Sequence, residues 1–107
     1  MNRIYICGAM TGRPDLNKPA FHAAARQLRA AGFDAVNPAE ICPDAAAHWA
    51  ECMRKDIAQL VTCDAIALLP DSEESRGAKL ERQIATALGM PVIPLAEFVR
   101  EFCRAAA

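Results

Sequence analysis

Four short apolar runs alternate with segments of helical periodicity along the chain. The runs lie at residues 4–7, 33–36, 65–69 and 92–93, and the clearest of them do not alternate between apolar and polar residues. Strands of that kind are buried on both faces, which is typical of a parallel sheet covered by helices on either side. The pattern therefore predicts an α/β protein of the flavodoxin-like three-layer type, with about four parallel strands in the order 2-1-3-4.

Capping and breaking residues mark the limits of the predicted helices. The first helix has Asn17 as its N-cap and Gly32 as its C′ glycine, and the second has Asp44 as its N-cap. A third helix is expected over residues 75–88, where Ser75 can serve as the N-cap. Ligands in such folds bind at the carboxyl ends of the strands, near the switch between the first and third strands. We therefore expect a site in the loops that follow those two strands.

Length and charge limit the classes of protein to which the chain can belong. Its 107 residues suit a single domain, residues 1–107. Twelve basic and thirteen acidic residues leave a net charge of −1, which provides no positive field to hold nucleic acid. No apolar run approaches the ~20 residues that cross a bilayer, and the N-terminus lacks a signal-peptide pattern. We expect a cytoplasmic protein that binds neither nucleic acid nor membrane.

The five cysteines are odd in number and include no Cys-x-x-Cys pair. Small secreted domains held by disulfides are usually denser in cysteine, so we expect buried free thiols. Cys42, His48 and Cys52 are close enough in sequence to suggest zinc ligands, but their spacing matches no standard zinc site. We therefore expect no metal and no cofactor.

Two carboxylates fall on the apolar faces of the predicted helices. Asp56 follows Trp49 and Met53 at helical spacing, and Glu81 follows Gly77 by four residues. A carboxylate that faces a core is costly unless it is paired, hydrogen-bonded or used in chemistry. The two are therefore candidates for acid–base or nucleophilic catalysis. The structural alternative is that Asp56 pairs with a neighbouring basic residue at the edge of the apolar face.

Residues of the first strand, of the loop after it and of the start of the third helix are further candidates for ligand contacts. Tyr5 is either a core aromatic of the first strand or a residue that presents its hydroxyl to a ligand at the end of the strand. Ser75 is a helix cap, an anion ligand at a helix N-terminus, or both. Gly8 and Gly12 belong to the loop after the first strand, which matches neither the dinucleotide fingerprint nor a Walker motif.

Five short motifs occur in a fixed order along the chain. They are IYICGAMTG (4–12), NPAE (37–40), MRKDI (53–57), CDAIAL (63–68) and SRGAKLE (75–81). Together they resemble the nucleoside 2-deoxyribosyltransferase-like superfamily, over nearly the whole chain from Ile4 to about Val92. The likeness is nearest to a small branch of bacterial and phage proteins that is related to the deoxynucleoside 5′-monophosphate N-glycosidases.

The resemblance implies roles for particular residues. Glu81 is implied to be the catalytic nucleophile, Asp56 its partner carboxylate and Tyr5 a hydrogen-bonding partner of Glu81. In the branch that hydrolyses monophosphates, the Ser and Gly before the nucleophile contact the 5′-phosphate. The residues implied to bind substrate are Gly8, Met10, Gly12, Asn37, Ser75 and Gly77.

The expected reaction is cleavage or transfer of the N-glycosidic bond of a (deoxy)nucleoside or its 5′-monophosphate, through a covalent glycosyl-enzyme. The sequence leaves open whether water or a second base accepts the sugar. The alternative is a non-catalytic module on the same fold that binds a nucleotide or a ribosyl ligand. The resemblance also implies a homodimer or larger homo-oligomer, in which a neighbouring subunit completes the site.

Overall fold

A computed structural model describes residues 2–42, 48–70 and 72–103, without the side chains of residues 102 and 103. The strands are β1 (Arg3–Cys7), β2 (Asp34–Val36), β3 (Ala65–Leu68) and β4 (Val92–Pro94). The α-helices are α1 (Lys18–Ala30), α2 (Pro38–Ile41), α3 (Trp49–Leu60), α4 (Arg76–Ala87) and α5 (Leu95–Phe98). Short 3-10 turns lie at Pro14–Asn17 and Ser72–Glu74, and a π-helical turn at Val99–Cys103 follows α5.

The four strands form one parallel sheet in the order β2-β1-β3-β4, which confirms the predicted α/β class and strand order. β1 lies at the centre, where Tyr5 is paired with Val36 on one side and with Ile66 on the other. The chain moves from β1 outwards to β2 and then returns across the sheet to β3. The switch point of the fold is therefore the gap between the carboxyl ends of β1 and β3.

Alternate residues of β1 point to opposite faces of the sheet and so belong to two separate cores. Ile4 and Ile6 pack with residues of α1 and α5, whereas Tyr5 and Cys7 pack with residues of α3 and α4. All four are completely buried. This division gives the three layers of the fold, and it turns the Tyr5 hydroxyl and the Cys7 thiol towards α4.

The helix caps match the predictions in part. Ser75 caps α4, since its hydroxyl accepts a hydrogen bond from the Ala78 amide at 3.2 Å. Asn17 occupies the N-cap position of α1, but its side chain instead donates to the Ala9 carbonyl at 3.0 Å. The predicted cap Asp44 lies outside the described residues. Among the described residues, no helix is long and apolar enough to cross a membrane.

The short helix α2 was not predicted, because its four residues are too few to show a periodic pattern. It begins where Asn37 accepts a hydrogen bond from the Ala39 amide at 3.0 Å, with Pro38 in the first helical position. It ends at Ile41, and Cys42 follows as its C-cap. This helix brings Pro38 and Cys42 to the carboxyl edge of the sheet.

Candidate active site

A cavity of about 240 Å³ lies at the carboxyl edge of the sheet, beside the switch point. Its walls come from the loop after β1 and from the first two turns of α3 and α4, with further contributions from α1 and α2. This is the place that the sequence predicted from the strand order. The predicted site residues that line it are Gly8, Met10, Asp56, Ser75, Gly77 and Glu81.

Glu81 lies in the second turn of α4 and is only 4% exposed. The Tyr5 hydroxyl donates a hydrogen bond to its Oε2, and the Cys7 thiol lies 3.6 Å from its Oε1. Both donors stand on the same face of β1, because they are two residues apart in a strand. The central strand therefore holds each of the two carboxyl oxygens of Glu81.

The surroundings of Glu81 act on its pKa in opposite directions. Burial raises it most, and the neighbouring Asp56 carboxylate raises it further. The hydrogen bonds from Tyr5 and Cys7 oppose this rise, since they favour the charged form. The balance places the pKa of Glu81 at about 7, so that both of its protonation states are populated near neutral pH.

Asp56 lies on the same cavity wall as Met53, one turn along α3, and is 8% exposed. Its Oδ1 is buried and has no hydrogen-bond partner among the described residues. Burial raises the pKa of this carboxyl to about 6. The structural alternative for Asp56 was an ion pair with a neighbouring basic residue. The ion pairs formed between described residues do not include one to Asp56. A buried oxygen without a partner costs free energy, which a bound ligand can recover.

Two predicted ligand-binding glycines allow close packing around the cavity. A Cβ on Gly77 would lie 3.0 Å from the Met53 sulfur and 3.6 Å from the Trp49 indole nitrogen, so a glycine lets α4 approach α3. A Cβ on Gly8 would lie 2.9 Å from the side chain of Leu69, which follows β3. The approach at Gly77 brings the helices of Asp56 and Glu81 together beside one cavity.

Three of the predicted site residues do not line the cavity. Tyr5 is completely buried behind Glu81, so it contacts the carboxylate and not the open space. Asn37 is 1% exposed; its side chain caps α2 and lies 3.1 Å from the His22 Nδ1. Gly12 has a φ of +81° and serves a turn in the loop after β1. Asn37 and Gly12 are thus placed by a local hydrogen bond and a local turn, whereas Tyr5 is placed by the central strand.

The free-thiol prediction is wrong for Cys42 and Cys52, which form a disulfide in the cavity wall. Cys42 follows α2 and Cys52 lies in the first turn of α3, which places their Cα atoms 5.7 Å apart. Their spacing in the sequence carried no signal of this pairing. Cys7 and Cys63 are free and buried, as predicted. Within the described ranges, no group of three or more His, Cys, Asp or Glu side chains could hold a metal ion.

Leu16 lines the cavity from an unusual backbone conformation. Asp15, Leu16 and Asn17 have φ values of 52°, 54° and 59°, in the left-handed region that non-glycine residues rarely adopt. Each such residue costs on the order of 1 kcal/mol. The bond from Asn17 to the Ala9 carbonyl ties this turn to the loop after β1. The sequence pattern contained no sign of this turn.

Trp49 was predicted only as a member of the apolar face of α3, but its indole lines the cavity. The Arg76 guanidinium covers the ring, 3.8 Å from its centre, which is a cation–π distance. Nearby, Arg13 pairs with Glu74 and so joins the loop after β1 to the acidic turn before α4. With Trp49, Met53 and Phe21 in its lining, the cavity combines a mainly apolar wall with two buried carboxyl groups.

Comparison with known proteins identifies the family of the chain without assigning an activity. The model of a family described as a domain of unknown function, DUF4406, matches residues 2–94. Because this match spans most of the chain, the protein belongs to that family. No curated protein matches the chain.

Proposed function

We propose that this member of the DUF4406 family cleaves the N-glycosidic bond of a (deoxy)nucleoside or its 5′-monophosphate. The observation that carries the proposal is the pair of buried carboxyl groups, Glu81 and Asp56, on the wall of one cavity. Glycosidases use such a pair for nucleophilic and acid–base roles. The ordered motifs, which resemble the deoxyribosyltransferase-like superfamily, support a nucleoside rather than another glycoside. We also propose that the protein acts in the cytoplasm.

Glu81 suits the role of nucleophile, because donors hold both of its oxygens in place. Hydrogen bonds from Tyr5 and Cys7 favour its charged form, which is the form that attacks. In the proposed reaction, one carboxylate oxygen forms an ester bond to the anomeric carbon of the sugar. The bond from that carbon to the base nitrogen breaks, and its electron pair leaves with the base.

Asp56 suits the role of acid by position, because its Oδ1 is buried without a donor among the described residues and the residue lines the same cavity as Glu81. Its pKa of about 6 lies below the value of about 7 for Glu81, so the reactive form, with Glu81 ionised and Asp56 protonated, is the less populated of the two singly protonated forms. Asp56 would give its proton to the departing base and become a carboxylate. In the second half of the reaction, this carboxylate takes a proton from water, which then attacks the anomeric carbon and releases Glu81. If a second base takes the place of water, the same steps transfer the sugar.

The rest of the cavity is suited to a flat aromatic ring beside a sugar. Trp49, Met53 and Phe21 provide an apolar surface on which a nucleobase can pack. Packing of the base there would exclude water from the two carboxyl groups and strengthen their interactions with the substrate. The sugar would then lie between Glu81 and Asp56.

The test is release of free base by the purified protein. The parent protein, Glu81→Gln and the control Glu51→Gln are incubated with deoxynucleosides and their 5′-monophosphates, and the products are separated by chromatography. Glu51 is an exposed residue in the first turn of α3, so it controls for loss of one acidic group. We expect the parent and the control to release base, and Glu81→Gln to lose about 10³-fold or more of the rate.

Mass spectrometry of the rapidly denatured parent adds a direct test of the covalent step. The sugar should be found esterified to Glu81 and absent from Glu81→Gln. A parent protein that releases no base, yet binds a nucleotide with an affinity that Glu81→Gln retains, would instead establish the non-catalytic binding module. Base release by Glu81→Gln at the parent rate would exclude Glu81 as the nucleophile.

A further inference from the structure

The Cys7 thiol lies next to the carboxyl group of Glu81, the proposed nucleophile, but it takes part in no bond-making or bond-breaking step of the proposed reaction. Cys7 is completely buried at the end of β1. Its sulfur is 3.6 Å from the Glu81 Oε1 and also 3.6 Å from the Ala78 carbonyl oxygen, one turn earlier in α4. The thiol thus faces two acceptors at equal distance and has one hydrogen to give.

This thiol is suited to donate a hydrogen bond and is unsuited to attack a substrate. Burial raises its pKa well above the ordinary value, and the negative charge of Glu81 raises it further. The sulfur therefore stays protonated near neutral pH. A thiolate is needed for cysteine to act as a nucleophile, so Cys7 is left with the role of a donor.

The protonation state of Glu81 decides which acceptor is the better one. A hydrogen bond to a charged acceptor is stronger than one to a neutral carbonyl. When Glu81 is ionised, its Oε1 is the stronger acceptor. When Glu81 is protonated and neutral, the Ala78 carbonyl competes for the same hydrogen. The other titratable and charged groups that act on the Cys7 thiol or the Glu81 carboxyl are Tyr5 on β1, Asp56 on α3 and Arg82 on α4.

We propose that Cys7 is a positioning residue for Glu81, whose thiol holds the ionised carboxylate at Oε1 and turns to the Ala78 carbonyl when Glu81 is protonated. With the Tyr5 hydroxyl on Oε2, the two donors fix the plane of the carboxylate relative to the cavity. The consequence for catalysis rests on the proposed function, whereas the exchange of hydrogen-bond partners does not depend on any activity.

The first experiment measures the pKa of Glu81 by carbon NMR of its labelled carboxyl group, in the parent, Cys7→Ala, Cys7→Ser and Cys63→Ala. Cys63 is the matched control, since it is also a buried free thiol but donates to the Gln59 carbonyl at 3.4 Å. Loss of the Cys7 donor should raise the pKa of Glu81 by about half a unit to one unit. Cys7→Ser should keep it near the parent value, and Cys63→Ala should not change it.

The second experiment uses the parent protein itself and does not depend on the folding of Cys7→Ala. The S–H stretching band is recorded by infrared spectroscopy across the titration of Glu81, and the spectrum of Cys7→Ser is subtracted to isolate Cys7. We expect the band to shift as Glu81 ionises, and the shift to disappear in Glu81→Gln. A Cys7 band that does not respond to pH, or a Glu81 pKa that Cys7→Ala leaves unchanged, overturns the proposal.

Measurements of kcat and KM distinguish the positioning role of Cys7 from the proposed glycosidase activity. If the parent releases base, Cys7→Ala should lower kcat about threefold to tenfold below the Glu81 pKa and leave KM unchanged. Equal kcat values for Cys7→Ala and the parent at that pH would exclude the positioning role in catalysis. If the parent releases no base, the glycosidase proposal fails, and the NMR and infrared results still decide whether Cys7 holds Glu81.

Discussion

Glu81 and Asp56 line the same cavity but differ in what surrounds their carboxyl groups. Glu81 receives hydrogen bonds from Tyr5 and Cys7, whereas Asp56 has a buried oxygen without a partner among the described residues. The two carboxyls also repel each other when both are charged, and their poorly solvated environment strengthens this repulsion. The protein therefore carries an energetic cost at neutral pH that its hydrophobic packing must offset.

This cost predicts an unusual dependence of stability on pH. The pKa of Glu81 rises on folding from its ordinary value of 4.5 to about 7, so between those values the folded chain binds more protons than the unfolded chain. The free energy of unfolding then falls as pH rises through this range. Replacing Glu81 by Gln removes the titration and keeps an oxygen that can accept from Tyr5.

We expect the stability gain of Glu81→Gln to be larger at pH 8 than at pH 4 by on the order of 2–3 kcal/mol. Denaturant unfolding at several pH values measures the difference, and the exposed Glu51→Gln should show none. A gain for Glu81→Gln that is the same at both pH values would show that burial does not penalise the charge of Glu81.

At the scale of elements, the cavity depends on how closely α2, α3 and α4 approach one another. Gly77 lets the first turn of α4 pack against Met53 and Trp49 of α3. On the other side, the Cys42–Cys52 disulfide joins the end of α2 to the first turn of α3. The position of α3, and with it that of Asp56, is thus fixed from both sides.

The disulfide predicts a redox-dependent stability. It closes a loop between residues 10 positions apart, and the chain-entropy model gives such a bridge about 2–3 kcal/mol of stabilisation. We expect the double variant Cys42→Ser/Cys52→Ser to be less stable than the parent by this amount in the absence of a reductant. Once a reductant opens the bridge of the parent, the two proteins should unfold at nearly the same denaturant concentration.

Cys63→Ser is the control, because Cys63 is a free thiol on the same face of the sheet. Its stability relative to the parent should not depend on the reductant. A double variant as stable as the oxidised parent would contradict a stabilising bridge.

The features that sequence could predict are those that a repeating pattern carries. Asp56 and Glu81 interrupt apolar faces of 12-residue helices, so their inward position was visible from spacing alone. The Cys42–Cys52 disulfide and the left-handed turn at Leu16 each depend on a single contact between residues 8 to 10 positions apart, which no repeating pattern carries. The capping role of Asn37 was not visible for a related reason, since its side chain is used by the four-residue helix that follows it.

For the whole molecule, the cavity lies at the carboxyl edge of the sheet, and the large exposed apolar side chains among the described residues lie at the opposite edge. Val61 and Leu88 are 51% and 58% exposed and follow the last turns of α3 and α4. Helices in this fold run opposite to the strands, so these ends are remote from the carboxyl edge. An association through Val61 and Leu88 would leave the cavity uncovered.

The size of the cavity supports a different association, in which a second copy covers the carboxyl edge. Its volume of about 240 Å³ is below the roughly 300–1,000 Å³ typical of small-molecule sites, so the described residues of one chain enclose only part of a nucleotide. We propose a homo-oligomer, with a dimer as the smallest form, in which the neighbouring copy completes the wall of the cavity. A ligand held between two copies must then stabilise the oligomer by mass action.

Sedimentation velocity over a dilution series, with and without a saturating deoxynucleoside monophosphate, measures this linkage whether or not the ligand is turned over. We expect dimers at micromolar concentration, and we expect the ligand to keep the dimer intact at lower concentrations of protein. Val61→Lys serves as a control, because a charge at the remote edge should leave both the dimer and its response to ligand unchanged. A chain that stays monomeric at micromolar concentration with ligand bound would show that one copy holds the site alone.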